Sequence, residues 1–346
     1  MSFPTDALGV KALGRRELAE LLRQLGAPRY RVSQVVRWLY GRGARSFEQM
    51  TDLPAGLRAQ LADLLALPIP TIAERQVSAI DDTRKYLLRL ADGNTVEVVG
   101  LPTAERLTVC FSTQVGCAMG CSFCATGEAG FVRDVAPGEI VDQVRIVAED
   151  YGRRVSNAVA MGQGEPFANY DAVLGGLRFL NDPDALGIGA RHLTVSTCGI
   201  VSGIRRLAAE PEQFTLAVSL HSAVQGTRDR LMPGVRGTPL TRLRPALIDY
   251  AEKTGRRPSL EYALIEDVND TDEELRALVE FARGTLVHVN LIPANPIEGM
   301  SFGRSSSARA RLFEARLAQA GVEASIRAER GADIDAACGQ LRQRTS

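Results

Sequence analysis

The chain has 346 residues, 45% hydrophobic and 24% charged, and its 41 basic and 41 acidic side chains cancel. This is the composition of an ordinary globular protein long enough for more than one domain, and its overall charge announces no nucleic-acid partner. No apolar run approaches the roughly 20 residues of a spanning helix, the N-terminus lacks the apolar core of a secretory signal, and six cysteines are too few for a disulfide-stapled secreted scaffold, so the expected setting is a reducing cytoplasm with no membrane.

Charge is unevenly placed. Residues 1–50 carry nine Lys or Arg against four acids, which makes either a local basic face or a solvated helical surface. Residues 14–65 show apolar residues at three- and four-residue spacing, with Gly26 and Gly41 where helices would stop. Pro68 and Pro70 break that pattern. The run "RKYLLRLADGNTVEVVGLP" then predicts two strands around Asp92-Gly93. These boundaries give a small N-terminal helical accessory domain over 1–70, a β-hairpin connector over 71–103 and a larger unit over 104–346.

In the larger unit, strand-like runs ("RLTVCF", "SNAVAMG", "RHLTVST", "FTLAVSL", "PSLEYALI", "LVHVNLIP") alternate with helix-like ones, the last being "SSARARLFEARLAQAG". Six β–α units with continuous apolar strands predict an α/β fold with parallel strands covered by helices. Six is too few for a closed eight-stranded barrel, so a partial (β/α)6 barrel is expected in preference to a doubly wound sheet. In either, chemistry belongs at the C-terminal ends of the strands.

Just after the first of these strands lies "VCFSTQVGCAMGCSFCATGEAGF", which holds four of the six cysteines. Cys117, Cys121 and Cys124 are spaced C-x3-C-x2-C, a pattern that arises by chance roughly 0.002 times in such a chain. Thiolates on a glycine-containing loop suit an iron–sulfur cluster or zinc. A structural zinc wants a fourth Cys or His, and His192, His221 and His288 are distant in sequence. Three ligands on a four-iron cluster leave one iron free to bind another molecule, and the cluster is favoured over zinc.

The motifs also carry a resemblance. "CFSTQVGCAMGCSFCATG", "MGQGEP", "TVSTCGI", "VSLHS", "VNLIPANP" and "DIDAACGQL" occur in that order and resemble the RlmN/Cfr family of RNA adenosine methyltransferases, within the radical S-adenosylmethionine superfamily. The resemblance covers Glu97 to Leu341 and implies a radical-SAM barrel. It implies that Cys117, Cys121 and Cys124 hold a [4Fe–4S] cluster whose open iron chelates S-adenosylmethionine, consumed as two molecules per turnover. Gly164 and Glu165, then Ser196, Ser219, Leu220, His221 and Asn295, all at strand ends, would contact that cofactor.

The same resemblance implies that Cys338 accepts a methyl group by displacement. A carbon radical derived from that S-methyl group then adds to an adenine ring carbon, and Glu97 removes the ring proton. Cys110 would resolve the protein–RNA adduct, leaving a disulfide for an external reductant; a separate electron donor serves the cluster. The implied targets are adenine C2 in 23S rRNA (adenosine 2503) and in tRNA (adenosine 37), by a monomeric enzyme. Radical chemistry is needed because an electron-poor sp² ring carbon is not nucleophilic. Ser222 and "RDRLMPG" lean instead toward the C8-methylating branch associated with antibiotic resistance; C2 is the expectation.

Taken alone, each site residue has a plainer reading: Glu165 in a strand-ending turn, Cys338 and Cys110 as small buried hydrophobes, Glu97 on the wet face of an edge strand. Cys198 and Trp38 read as core, His192 and His288 as structural. Arg15, Arg16, Arg29, Arg31, Arg256 and Arg257 are candidate phosphate contacts. A different class, a non-enzymatic metal-containing RNA scaffold, would give Cys338 and Cys110 no special role.

Overall fold

The computed structural model describes residues 9–128, 130–295 and 302–342. The N-terminal part contains helices α1 (Arg15–Gln24), α2 (Arg31–Val36) and α3 (Ala55–Leu64). The predicted apolar stripes turn inward: Leu18, Leu21 and Leu22 on α1, Val32, Val35 and Val36 on α2, and Leu57 and Leu61 on α3 are all buried. Trp38 packs beside this core only in part, its indole N–H on Asp52 at 2.6 Å and its face under the Arg42 guanidinium.

Three antiparallel strands follow, β1 (Thr71–Val77), β2 (Arg84–Arg89) and β3 (Thr95–Pro102). The β2–β3 turn falls at Asp92-Gly93 as expected; β1 was not anticipated. The chain continues through β4 (Leu107–Cys110), β5 (Gln114–Gly116), the one-turn α4 (Ala125–Glu128), β6 (Phe131–Asp134), α5 (Pro137–Tyr151), β7 (Asn157–Ala160), α6 (Tyr170–Asn181), β8 (Leu193–Thr197) and α7 (Val201–Leu207). It ends with β9 (Thr215–Ser219), α8 (Gln225–Leu231), α9 (Leu240–Thr254), β10 (Ser259–Leu264), α10 (Asp272–Ala282), β11 (His288–Pro293), α11 (Ser307–Gln319) and β12 (Glu323–Ile326).

One sheet runs β1-β2-β3-β4-β7-β8-β9-β10-β11-β12. From β4 onward every pairing is parallel, so the six predicted β–α units are present and β12 adds a seventh parallel strand. Continuous apolar strands such as "TLAVS" are sandwiched between the interior and a helical layer. Because β3 lies between β2 and β4, Glu97 is on an inner strand and only 2% exposed. The wet-edge reading of that glutamate is therefore wrong.

The helical unit is bonded to the outside of α5 and α6. Lys11 and Asp142 form an ion pair at 3.0 Å with both side chains almost fully buried. Arg15 pairs with Asp182, and Arg37 reaches Asp184 at 2.6 Å. Arg31 is spent on Gln34 and the Asp52 carbonyl. Arg16 and Arg29 are exposed and carry no ion pair among the described residues. Arg256 and Arg257 precede the N-terminal end of β10, bonded to Thr215 and Glu323. That is the end of the barrel opposite the strand termini where chemistry is expected.

Candidate active site

The C-terminal ends of the strands enclose a cavity of about 1190 Å³ that opens to solvent. Cys117, Cys121 and Cys124 form part of its wall, joined by Gly164, Glu165, Ser196, Ser219, His221, Asn295 and Cys338. Ten of the thirteen residues expected at the site thus meet in one space.

The cysteine loop is framed by its own hairpin, β5–β6, which the sequence did not reveal. The Cys117 N–H donates to the Gly130 carbonyl at 2.8 Å, and the Cys124 N–H donates to the Cys121 carbonyl at 3.1 Å. Burial pushes all three thiols above their ordinary range, and the nearby Cys124 raises those of Cys117 and Cys121 further. Neutral thiols so placed gain most when something positively charged binds them as thiolates.

Gly164, in the turn after β7, has φ +98°, and a Cβ there would lie 2.7 Å from the Gln114 nitrogen. Only glycine fits. This close turn holds the next residue against the cavity: Glu165 accepts the Phe167 N–H at 2.9 Å on one oxygen and the Cys198 N–H at 2.7 Å on the other. Burial raises its pKa while those N–H groups oppose the rise. Such a fixed, desolvated carboxylate is a receptor for an ammonium group.

His221 has φ +54° and accepts the Ala263 N–H on Nδ1 at 2.9 Å, so its proton sits on Nε2. Burial, helped by Arg228, lowers its pKa to about 3. The Phe123 ring meets it edge-on at 4.5 Å. Leu220 departs from expectation: its side chain is wholly in the core and does not line the cavity, because the polypeptide turns there to bond the Glu261 carbonyl through the Leu220 N–H. Ser222 is also away from the cavity, with its hydroxyl on Glu274 at 2.7 Å.

Cys338 is exposed and lines a second cavity of about 740 Å³ as well as the first. The buried-hydrophobe reading of Cys338 fails. Half-buried Cys110 lies in the second cavity with Val99, Leu101 and Arg327, and burial pushes its thiol up to about 12. Both sulfurs are free thiols. The segment bearing Cys338 is stapled to the helix after the cluster loop: the Ala125 N–H donates to the Gly339 carbonyl at 2.8 Å, and the Thr126 hydroxyl to the Leu341 carbonyl at 2.6 Å. Asn295 donates to the Cys338 carbonyl at 3.3 Å.

Glu97 is on the same face of β3 as Val99 and Leu101 but opens on neither large cavity. One carboxylate oxygen accepts the Arg342 N–H at 2.8 Å and the other lies 3.9 Å from the Lys85 ammonium. The Cys338 segment covers it.

The sequence reading missed Arg327 and Glu261, which face each other at 3.8 Å in the cavity wall. Alternation in "SLEYAL" could have flagged Glu261 as pointing inward. Cys198, read as core, is buried but also lines the cavity, its sulfur 3.5 Å from that of Met119.

A family model described as the ribosomal RNA large subunit methyltransferase N-terminal domain matches residues 10–67, and the radical SAM superfamily model matches 111–282. The chain is 47% identical to a protein of Pelotomaculum thermopropionicum over 98% of its own length and 92% of that protein's. It is 48% identical to one of Moorella thermoacetica, covering 98% of each, and both are named probable dual-specificity RNA methyltransferase RlmN. The chain belongs to the RlmN family. Its fold agrees: the crystal structure of a radical SAM methyltransferase from Sphaerobacter thermophilus superposes with a TM-score of 0.90 at 45% identity, covering 97% of this chain and 99% of that one.

As an RlmN-family protein it is a radical SAM RNA methyltransferase, and the family implies a [4Fe–4S] cluster and S-adenosylmethionine as cofactors. The residues fit them. Three thiols from one loop line the cavity wall, and thiolates are the ligands that iron–sulfur clusters take. The cavity beyond them has room and polar partners for an organic cofactor. Among the described residues no helix is long and apolar enough to cross a membrane.

Proposed function

We propose that this enzyme methylates C2 of adenosine in 23S rRNA and in tRNA, in the cytoplasm, with Cys338 as the methyl acceptor. The observation that carries the reading is the position of Cys338, shared between a cavity walled by three cluster-type cysteines and a cavity containing Cys110. The names of the similar proteins, dual-specificity RNA methyltransferases, favour more than one RNA substrate.

Cys117, Cys121 and Cys124 would hold the cluster, with Glu165, Ser196, Ser219, His221 and Asn295 around S-adenosylmethionine. When bound, the pair supplies one electron and a hydrogen-abstracting carbon radical. The chain does the rest. Cys338, exposed and beside the Arg327 guanidinium, is the nucleophile for the methyl group; the Cys338 sulfur, once ionised, in turn holds Arg327 above its ordinary value. Cys110, as its thiolate, attacks the Cys338 sulfur; the sulfur–carbon bond to the nucleobase breaks, the carbon keeps the bonding pair and takes up a proton to become the methyl group, and an external dithiol reduces the resulting disulfide. Glu97 serves as the base for the ring proton after the Arg342 N–H releases it.

The test is mass spectrometry of rRNA and tRNA from cells with and without the gene, and with Cys338→Ala. Loss of 2-methyladenosine from both RNAs in the deletion and in C338A is the expected result. Loss of 8-methyladenosine, of the rRNA mark alone, or full activity in C338A would each overturn the corresponding part.

A further inference from the structure

Arg228, on α8, is one of the largest fully buried side chains in the protein. Its Nη2 donates to the Cys198 carbonyl at 2.6 Å, while Nε and Nη1 have no partner among the described residues. No carboxylate lies within ion-pairing distance of it among those residues; the neighbouring Asp229 accepts from Gln225 instead. A guanidinium does not shed its proton, and leaving one buried without a counter-charge costs several kcal/mol. Asp229 supports the cation only from beyond ion-pair distance, so most of the answering negative charge must come from elsewhere.

The surroundings show where. The carbonyl of Leu231, at the end of α8, accepts the Ser122 N–H at 2.9 Å, and the Gly234 N–H donates to the Met119 carbonyl at 2.9 Å, so this segment is fastened to the cysteine loop. Cys121, Cys198, Met119, Leu231 and Met232 pack together as one apolar cluster, a medium in which a charge is poorly screened. Gly199 makes the room: its φ is +103°, and a Cβ there would stand 2.9 Å from Nη2. Cys198, whose carbonyl accepts the Arg228 Nη2, packs in the same cluster as Cys121.

We infer that Arg228 is the buried counter-cation of the three-thiolate cluster, a positioning residue that makes the cluster easier to reduce. The inference rests on the reading that Cys117, Cys121 and Cys124 hold a [4Fe–4S] cluster. A two-plus core on three thiolates carries one net negative charge, and an electron from an external one-electron donor makes it two, with no bond made or broken in the protein. A fixed cation behind Cys121 stabilises the second state more than the first.

The experiment is a potentiometric titration of the anaerobically reconstituted full-length enzyme with dithionite, followed by electron paramagnetic resonance, for wild type, Arg228→Lys and Arg228→Met. R228M is expected to lose at least tenfold in the one-electron reduction equilibrium, a downward shift of about 59 mV or more, with R228K within threefold of wild type. Thermal unfolding supplies an independent reading: without the cluster R228M should be at least as stable as wild type, and reconstitution should raise the wild-type midpoint more. An unchanged potential in R228M, or an R228K that behaves like R228M, overturns the inference. So does collapse of both variants when wild type takes up its cluster, since the side chain then only supports the loop. Wild type that binds no iron and sulfide under the same conditions refutes the cluster reading itself.

Discussion

At the scale of single residues, burial and the Arg228 charge keep His221 neutral down to about pH 3, whereas an unfolded histidine titrates near 6.5. Between those values the unfolded chain binds a proton that the folded one refuses, so stability rises with pH through this window and falls on acidification below about 6.5. From pH 7 to pH 5 the group alone removes about 2 kcal/mol. His221→Asn keeps an acceptor for the Ala263 N–H and tolerates the left-handed backbone. In urea denaturation it should lose less stability than wild type over that pH range, with a difference near that value. Parallel pH curves for the two proteins would show that His221 is not the source.

Among the elements, the segment carrying Cys338 is stapled to α4 through its backbone carbonyls. Its Thr126–Leu341 hydrogen bond is worth about 1 kcal/mol. Thr126→Val should therefore speed amide exchange in residues 336–342 about fivefold, while exchange in β7–β10 stays as in wild type. Equal exchange in the segment would mean the staple lies elsewhere. The contrast with the sequence is instructive here. Cys117, Cys121, Cys124, Gly164 and Glu165 were legible because a metal-binding loop and a glycine-dependent turn constrain residues close together in the chain. The six alternating units were legible because buried parallel strands leave continuous apolar runs. Strands β1 and β12 were not, since "TIAERQV" and "EASI" are polar edge strands stabilised by pairing. Arg228, Arg327 and Glu261 were equally hidden: a lone charge in a sequence looks like surface until folding buries it.

For the molecule as a whole, the helical unit and the barrel are joined through a charge pair that water does not reach. Lys11→Met leaves Asp142 buried with only Arg145 at 3.6 Å to compensate, and should cost about 3 kcal/mol in denaturant titrations. Adding Asp142→Leu should recover most of that loss; a double variant as unstable as the single one would show that Lys11 acts by packing. Among the described residues, the sheet that this unit braces has two margins, β1 and β12, that do not pair with each other. The cavity holding Cys110 and Cys338 is lined by β3, β4, β7 and β11 and by the segments after β11 and β12, so its walls come from strands far apart in the sheet order.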